Sequence, residues 1–333
     1  MLAAADSPIL VTGATGFVGS HLVERLVGLG YGVRCLARRT SSLAWLPAAG
    51  IELAYGEVAE NVGLREAVEG VSLVFHVAGV TKTPSSEGYY RGNVQGTANL
   101  LRALEEVGSG ARFVHVSSLA AVGPSPDGRP LAEDAPAHPV SHYGKSKWEA
   151  EEAVRRSPLS AGAVIVRPPV VFGPRDRDVL KFFQAASRGW LFRIGSQEAF
   201  VSVVHVSDLV AGLLAAAERA PGQARPYFVA NEEPVSWTEF ASVAAELMGR
   251  QVRAVSIPRP MAWAAGFVAE LGSKLRGKPS ILSRDKIREA RYRYWTCQTA
   301  RAHHELGFRA EKTLRQGIAE TLEWYRMVRW LRP

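Results

Sequence analysis

Apolar positions recur in two rhythms over the first half of this chain. Short, nearly unbroken apolar runs fall at Ile9–Thr12, Gly32–Ala37, Ile51–Tyr55, Leu73–Ala78, Arg112–Ser117 and Ala163–Arg167. Between them, apolar residues take helical spacing over Ser20–Leu29, Val62–Val68, Tyr89–Val107 and His142–Arg155. Runs with no polar alternation fit strands buried on both faces, and strand–helix alternation places those strands in one parallel sheet. The pattern therefore predicts an α/β fold, a doubly wound parallel sheet with helices on both faces and its chemistry at the carboxyl ends of the strands. Val203–Glu218 and Tyr227–Ala230 resume the same rhythm. They extend a nucleotide-binding domain of residues 1–175 with 203–230, leaving 176–202 with 231–333 as a smaller, mixed substrate lobe.

The first strand runs directly into Gly13, Gly16 and Gly19 within VTGATGFVG (11–19), and a helical pattern follows. Positions without side chains let the backbone approach a pyrophosphate, whose charge meets the free N–H groups of a helix N-terminus. Thr15, Phe17 and Val18 belong to that turn. The second strand ends at Ala37, where an NAD-specific site usually carries a carboxylate for the ribose hydroxyls, and Arg38 and Arg39 follow. A missing acid and a present guanidinium favour the 2′-phosphate of NADP(H) over NAD(H). The alternative is an ordinary solvated turn. Glu57, beyond the third strand with Val58 beside it, either bonds the adenine amino group or is an exposed loop residue. Ala78 and Gly79 end HVAG (76–79), where small residues let the backbone pass beneath a cofactor.

Acid–base chemistry concentrates further on. The fifth run ends in Ser117-Ser118, and Tyr143-Gly144-Lys145-Ser146-Lys147 follows. Tyr143 and Lys147 are one helical turn apart, so an ammonium can favour phenolate and make the tyrosine usable near neutral pH. Ser118 would hydrogen-bond the substrate oxygen. Asn93 sits in a helical pattern that disfavours it locally, so it faces solvent or bonds a specific partner.

Those motifs together resemble the extended short-chain dehydrogenase/reductase superfamily of the NAD-dependent epimerase/dehydratase type. The matching stretches are TGATGFVG (12–19), HVAG (76–79), NVQGT (93–97), VSS (116–118), YGKSK (143–147), RPPVVFGP (167–174) and VHVSDL (204–209). The resemblance implies a Rossmann-type sheet, Tyr143 as proton donor or acceptor, Lys147 on the nicotinamide ribose, and Ser118 polarising a carbonyl. It implies Asn93 near the substrate or in a proton relay, Pro169 and Val171 beside the cofactor, and a homodimer. Two positions depart from nucleotide-sugar-binding members, which carry Asn and Arg where Pro169 and Val201 stand here. Arg175, Arg177 and Arg193 are nearby cations that could compensate, and Thr81, Ser118, Arg175 and Arg193 are the candidate substrate contacts. Ser207 replaces an Asp common among relatives. The pattern is similar to the dihydroflavonol-4-reductase and 3β-hydroxysteroid dehydrogenase branch. It implies an NADP(H)-preferring oxidoreductase that interconverts a ketone and a secondary alcohol on an apolar molecule. A nucleotide-sugar epimerase or dehydratase is the alternative, and a dinucleotide-sensing protein without catalysis is a third reading.

Composition narrows the setting. Cys35 and Cys297 are the only cysteines among 333 residues, which excludes a disulfide framework and a cysteine-rich metal site; no metal is expected. Met1–Pro8 lacks the features of a secretory signal, and no apolar run is long enough to span a membrane, so a cytoplasmic location is expected. The net charge is +8 overall, but residues 251–333 hold 17 Lys/Arg against 7 Asp/Glu, a local excess of +10. Nothing in the pattern reads nucleic-acid bases. Pro258–Leu275 carries Met261, Trp263, Phe267, Val268 and Leu271 at helical spacing, either lining an apolar pocket or covering the core. The tail Trp324–Arg332 mixes aromatics with arginines. It either packs on the lobe or rests on an anionic membrane.

Overall fold

The computed structural model describes residues 7–266 and 284–331. Its centre is a seven-stranded parallel sheet built from β1 (Ile9–Thr12), β2 (Val33–Ala37), β3 (Ile51–Tyr55), β4 (Leu73–His76), β5 (Arg112–Val116), β6 (Ala163–Arg167) and β11 (Arg225–Phe228). The spatial order is β11-β6-β5-β4-β1-β2-β3. The order reverses between β1 and β4, which pair with Thr12 opposite His76. Chains leave these two strands in opposite directions, so a crevice opens at their carboxyl ends.

Alternation along each strand feeds two cores. Ile9 and Val11 face α1 (Phe17–Gly28) and α7 (Val206–Arg219) on one side, with Leu22, Leu26, Leu209 and Leu213. Leu10, Val74 and Phe113 face the other side, against α2 (Leu64–Val68) and α4 (Gly96–Glu106). The sheet is thus covered on both faces, and its Rossmann-type architecture is that anticipated from the apolar runs.

The expected helix over Tyr89–Val107 is present, and runs from α3 (Ser86–Tyr89) through a π-helical stretch over Tyr90–Gln95 into α4. The cause is local. Asn93 turns its amide onto the Val80 backbone, accepting from its N–H at 2.7 Å and donating to its carbonyl at 3.1 Å, while Thr97 Oγ1 donates to the Asn93 carbonyl. A side chain inserted into the helical ladder widens it, and such bulges recur at functional sites.

The other elements build a second layer. β7 (Val170–Phe172) pairs with β10 (Val203–His205), β8 (Trp190–Ile194) with β13 (Arg253–Ile257), and β9 (Phe200–Val201) with β12 (Val235–Ser236) and β14 (Tyr294–Trp295). Phe172, Phe183 of α6 (Asp178–Ser187), Phe240 of α8 (Trp237–Glu246) and Tyr325 form its core. The tail packs here: Trp324 meets Trp45 and Trp330 with centroids 5.4 and 5.0 Å apart, and Leu331 is buried. Of the apolar positions in 258–275, Met261 is exposed and Trp263 lines a surface cleft; Phe267, Val268 and Leu271 lie outside the described residues, as does Arg332.

Candidate active site

The glycine turn closes on itself so tightly that side chains are excluded. Gly13 has φ +67°, and a Cβ there would lie 2.7 Å from the Ala78 nitrogen; one on Gly19 would lie 2.1 Å from the Gly13 carbonyl oxygen. Gly16 then starts α1, and among the described residues no side chain caps it. The first N–H groups of a helix have no internal partner, so those of Phe17, Val18 and Gly19 face the crevice as an anion cradle. This turn, with Ala78 and Gly79 at the end of β4, fits a dinucleotide pyrophosphate.

Strands β1 and β4 carry a continuous buried network to the site. Thr12 Oγ1 meets His76 Nδ1 at 2.8 Å and accepts from the Ala78 N–H, and His76 Nε2 meets Thr97 Oγ1 at 3.0 Å. Burial, with the Lys147 charge, pushes His76 down to about 3, so it is a neutral connector between strand and helix. Asn93, 1% exposed, has its amide taken by Val80 and by the Ser146 hydroxyl at 2.9 Å. It pins the loop after β4 beneath α5 (His142–Arg156).

On α5, Tyr143 is half-buried, with its phenol on the side of the Ser118 hydroxyl. Ser118 Oγ also accepts from the Ala120 N–H at 3.1 Å. Burial holds the Tyr143 phenol above its ordinary value, while the Ser118 hydroxyl and the Lys286 ammonium oppose that shift. Lys147 lies one turn on. Its ammonium donates to the Val116 carbonyl at 2.7 Å, and burial brings it down to about 8 against the pull of Glu151.

Two groups in this site escaped the sequence reading. The first comes from α9 (Arg284–Ala290), distant in sequence. Asp285 accepts from the backbone N–H groups of His142 at 2.8 Å and Tyr143 at 3.2 Å, and Glu289 accepts from Ser141 Oγ at 2.7 Å. Lys286 Nζ lies 5.3 Å from the Tyr143 ring centroid and 2.8 Å from Glu289. No local signal marks these residues; only the packing of α9 on the first turn of α5 reveals them. The second is Glu151, which receives Arg167 at 2.6 and 2.9 Å, Ser117 at 2.6 Å and Arg155 at 2.8 Å. The helical spacing of Lys147, Glu151 and Arg155 was a readable signal for it.

The remaining candidates fall in different places. Arg38 lies at the exposed end of β2, 3.6 Å from Glu57, and Arg39 lies over the Tyr55 ring. Val58 accepts from Asn99 through its carbonyl. Thr81 is exposed on the loop after β4; Pro169 and Val171 are half-buried around the start of β7. Val201 is 2% exposed within the lobe core. Arg175 is bound to Glu24 at 2.7 Å and Ser20 at 3.2 Å, and Arg193 to Glu198 at 2.9 Å. Arg177 lies over Trp330. Ser207 meets His205 Nδ1 at 2.8 Å, at the start of α7.

Comparison with known proteins agrees with this geometry. Residues 9–230 match the NAD dependent epimerase/dehydratase family. A ceramide reductase of Caulobacter vibrioides is 33% identical over 97% of this chain and 96% of its own length. An N-acetyl-α-D-glucosaminyl-diphospho-ditrans,octacis-undecaprenol 4-epimerase of Escherichia coli O157:H7 is 28% identical over 95% and 94%. The structure of MoeE5 in complex with UDP-glucuronic acid and NAD superposes with a TM-score of 0.75, at 28% identity, over 96% of this chain and 99% of that one. With the glycine cradle and the strand order, these likenesses make the chain a member of the NAD dependent epimerase/dehydratase family and an NAD(P)-dependent enzyme of the extended short-chain dehydrogenase/reductase type.

Proposed function

We propose that the protein is an NADP(H)-preferring reductase that interconverts a ketone and a secondary alcohol on a long-chain, apolar substrate. The observation that carries the chemistry is the meeting of α5 with the end of β5: Tyr143 and Lys147 stand one helical turn apart, and the Lys147 ammonium donates at 2.7 Å to the Val116 carbonyl, two residues before Ser118. A bound dinucleotide supplies the hydride in such chemistry. Ser118, whose oxygen already accepts from Ala120, turns its hydroxyl proton to the substrate oxygen. Tyr143 gives its proton to the developing alkoxide, and the nearby Lys286 charge steadies the phenolate that remains.

The substrate class rests on charge. A diphosphate withdrawn from water needs cationic partners. Pro169 and Val201 offer none, and Arg175 and Arg193 are engaged by Glu24 and Glu198. The Caulobacter relative is a reductase named for a ceramide, a long-chain lipid, which fits the same class. Preference for NADP(H) rests on Ala37 and Arg38 at the end of β2.

The test is NADPH oxidation, followed at its absorbance band, with long-chain, steroid and flavonoid ketones beside calorimetry with UDP-glucose, UDP-glucuronate and dTDP-glucose. The expected result is net oxidation with an apolar ketone and no saturable sugar-nucleotide binding. Micromolar binding of a nucleotide-sugar with no net oxidation would replace this reading by epimerase chemistry.

A further inference from the structure

The sheet of β8 and β13 breaks the rule that governs half-buried strands. Leu191 points inward and is 2% exposed, whereas its neighbours Trp190 and Phe192 point outward and are 44% and 56% exposed. A water-facing strand position ordinarily carries a polar residue. Parallel pairing sets Trp190 opposite Arg253 and Phe192 opposite Val255, so aromatic and cationic groups share the outer face. β13 leads into the helical residues 259–266, where Met261 is 63% and Trp263 41% exposed. A cleft of about 230 Å³ continues this face, lined by Ile194, Pro260, Trp263 and Ile287 with Arg259 and Arg291. Ile287 adjoins Lys286, so the face ends beside the catalytic tyrosine.

Charge identifies what covers this face. Residues 186–197 and 247–266 contain five arginines and no Asp or Glu; Arg193 is held by Glu198, which leaves the exposed Arg188, Arg250, Arg253 and Arg259. A second copy of the chain, docked through the same face by two-fold symmetry, would set arginines against arginines. An anionic bilayer satisfies both components: the aromatics enter the interfacial region and the guanidiniums pair with lipid phosphates. Among the described residues no helix is long and apolar enough to cross a membrane, so the contact is one of surface docking. We infer that the β8–β13 face and the helical stretch after it dock the enzyme on an anionic lipid bilayer, opening the Trp263 cleft toward the membrane.

Docking is read without substrate or turnover, so it stands or falls apart from the reductase reading. The full chain is sedimented with vesicles of phosphatidylcholine alone and of an equimolar mixture with phosphatidylglycerol. Binding to the mixture, weakened by added salt, is expected. Each arginine at an anionic surface contributes roughly fivefold in partitioning, so Arg253→Gln with Arg259→Gln should lower it roughly twentyfold. Trp190→Ser with Phe192→Ser should lose the binding, and an unchanged melting temperature and NADPH affinity would show that both pairs still fold. No sedimentation with the mixed vesicles, or wild-type partitioning by both double variants, would overturn the inference. So would a concentration-dependent dimer that the Trp190→Ser, Phe192→Ser pair abolishes, because a second copy would then own the face.

Discussion

Two helices start at the carboxyl edge of the same sheet, and their N-termini are finished in opposite ways. α1 begins at Gly16 with no side-chain cap among the described residues and no acid in its first turn. α5 begins at Ser141, whose hydroxyl accepts from the Gly144 N–H, while Asp285 accepts from His142 and Tyr143 and Glu289 holds Ser141 itself. Every helix N-terminus presents unpaired N–H groups and a positive dipole end. Left open, as in α1, it is a receptor for an anion. Closed by the protein's own carboxylates, as in α5, it can bind nothing, and it becomes a rigid mount for the side chain in its first turn. The protein thus uses one physical feature for binding and, with the ligand supplied from within, for fixing the residue that carries the proposed proton transfer.

The largest effect should come from removing what the closed end holds. Tyr143→Phe keeps the ring packed but loses the proton, so turnover should fall by about 10²–10⁴ with cofactor affinity nearly intact. A variant retaining most of its kcat would detach the phenol from the chemistry. Next is the open end. Gly19→Val forces a side chain against the Gly13 carbonyl; the backbone must shift at about 1–3 kcal/mol or more. Dinucleotide affinity measured by fluorescence titration should drop by roughly ten- to a hundredfold.

Specificity at the open end is a smaller matter. Arg38→Ala should weaken NADP(H) by about tenfold, the loss of one charge-assisted contact, and leave NAD(H) unchanged. Equal weakening of both would place Arg38 away from the 2′-position. Opening the closed end comes after that. Asp285→Ala should lower stability by about 1 kcal/mol, read as a fall in melting temperature, because the Ser141 cap survives. A smaller fall in kcat should accompany it.

The subtlest measurement concerns Lys286. Taking away a cation beside the phenol makes phenolate harder to form, so in Lys286→Met the tyrosine limb of the pH–kcat/KM profile should move to higher pH. Lys286→Arg keeps the charge and should keep the limb in place. The groups facing Tyr143 from α9 and α3 are Asp285, Glu289 and Tyr89, none of them cationic, and Lys147, one turn along α5, is unchanged in both variants. A limb unmoved in both variants would leave Lys286 with a packing role only.

Most of the sheet could be read along the chain because its determinants are local. Ile9–Val11 had to be buried on both faces, Gly13 needed a left-handed φ, and Tyr143 and Lys147 are separated by one helical turn. Such signals depend on a few neighbouring residues, and the backbone geometry they demand admits few alternatives. The π-helical turn over Tyr90–Gln95 was not legible, because it goes with Asn93 reaching Val80 across a loop. The carboxylates that close α5 and the ammonium beside Tyr143 lie some 140 residues further along, with Asp285 bonding the His142 and Tyr143 N–H groups across separations of 143 and 142 positions. The amino-acid sequence by itself determined the sheet, the glycine cradle and the spacing of Tyr143 and Lys147 on one helix face. Only the tertiary structure decided which charge stands beside the phenol and which helix end stays open, because those depend on the close packing of segments that no periodicity connects.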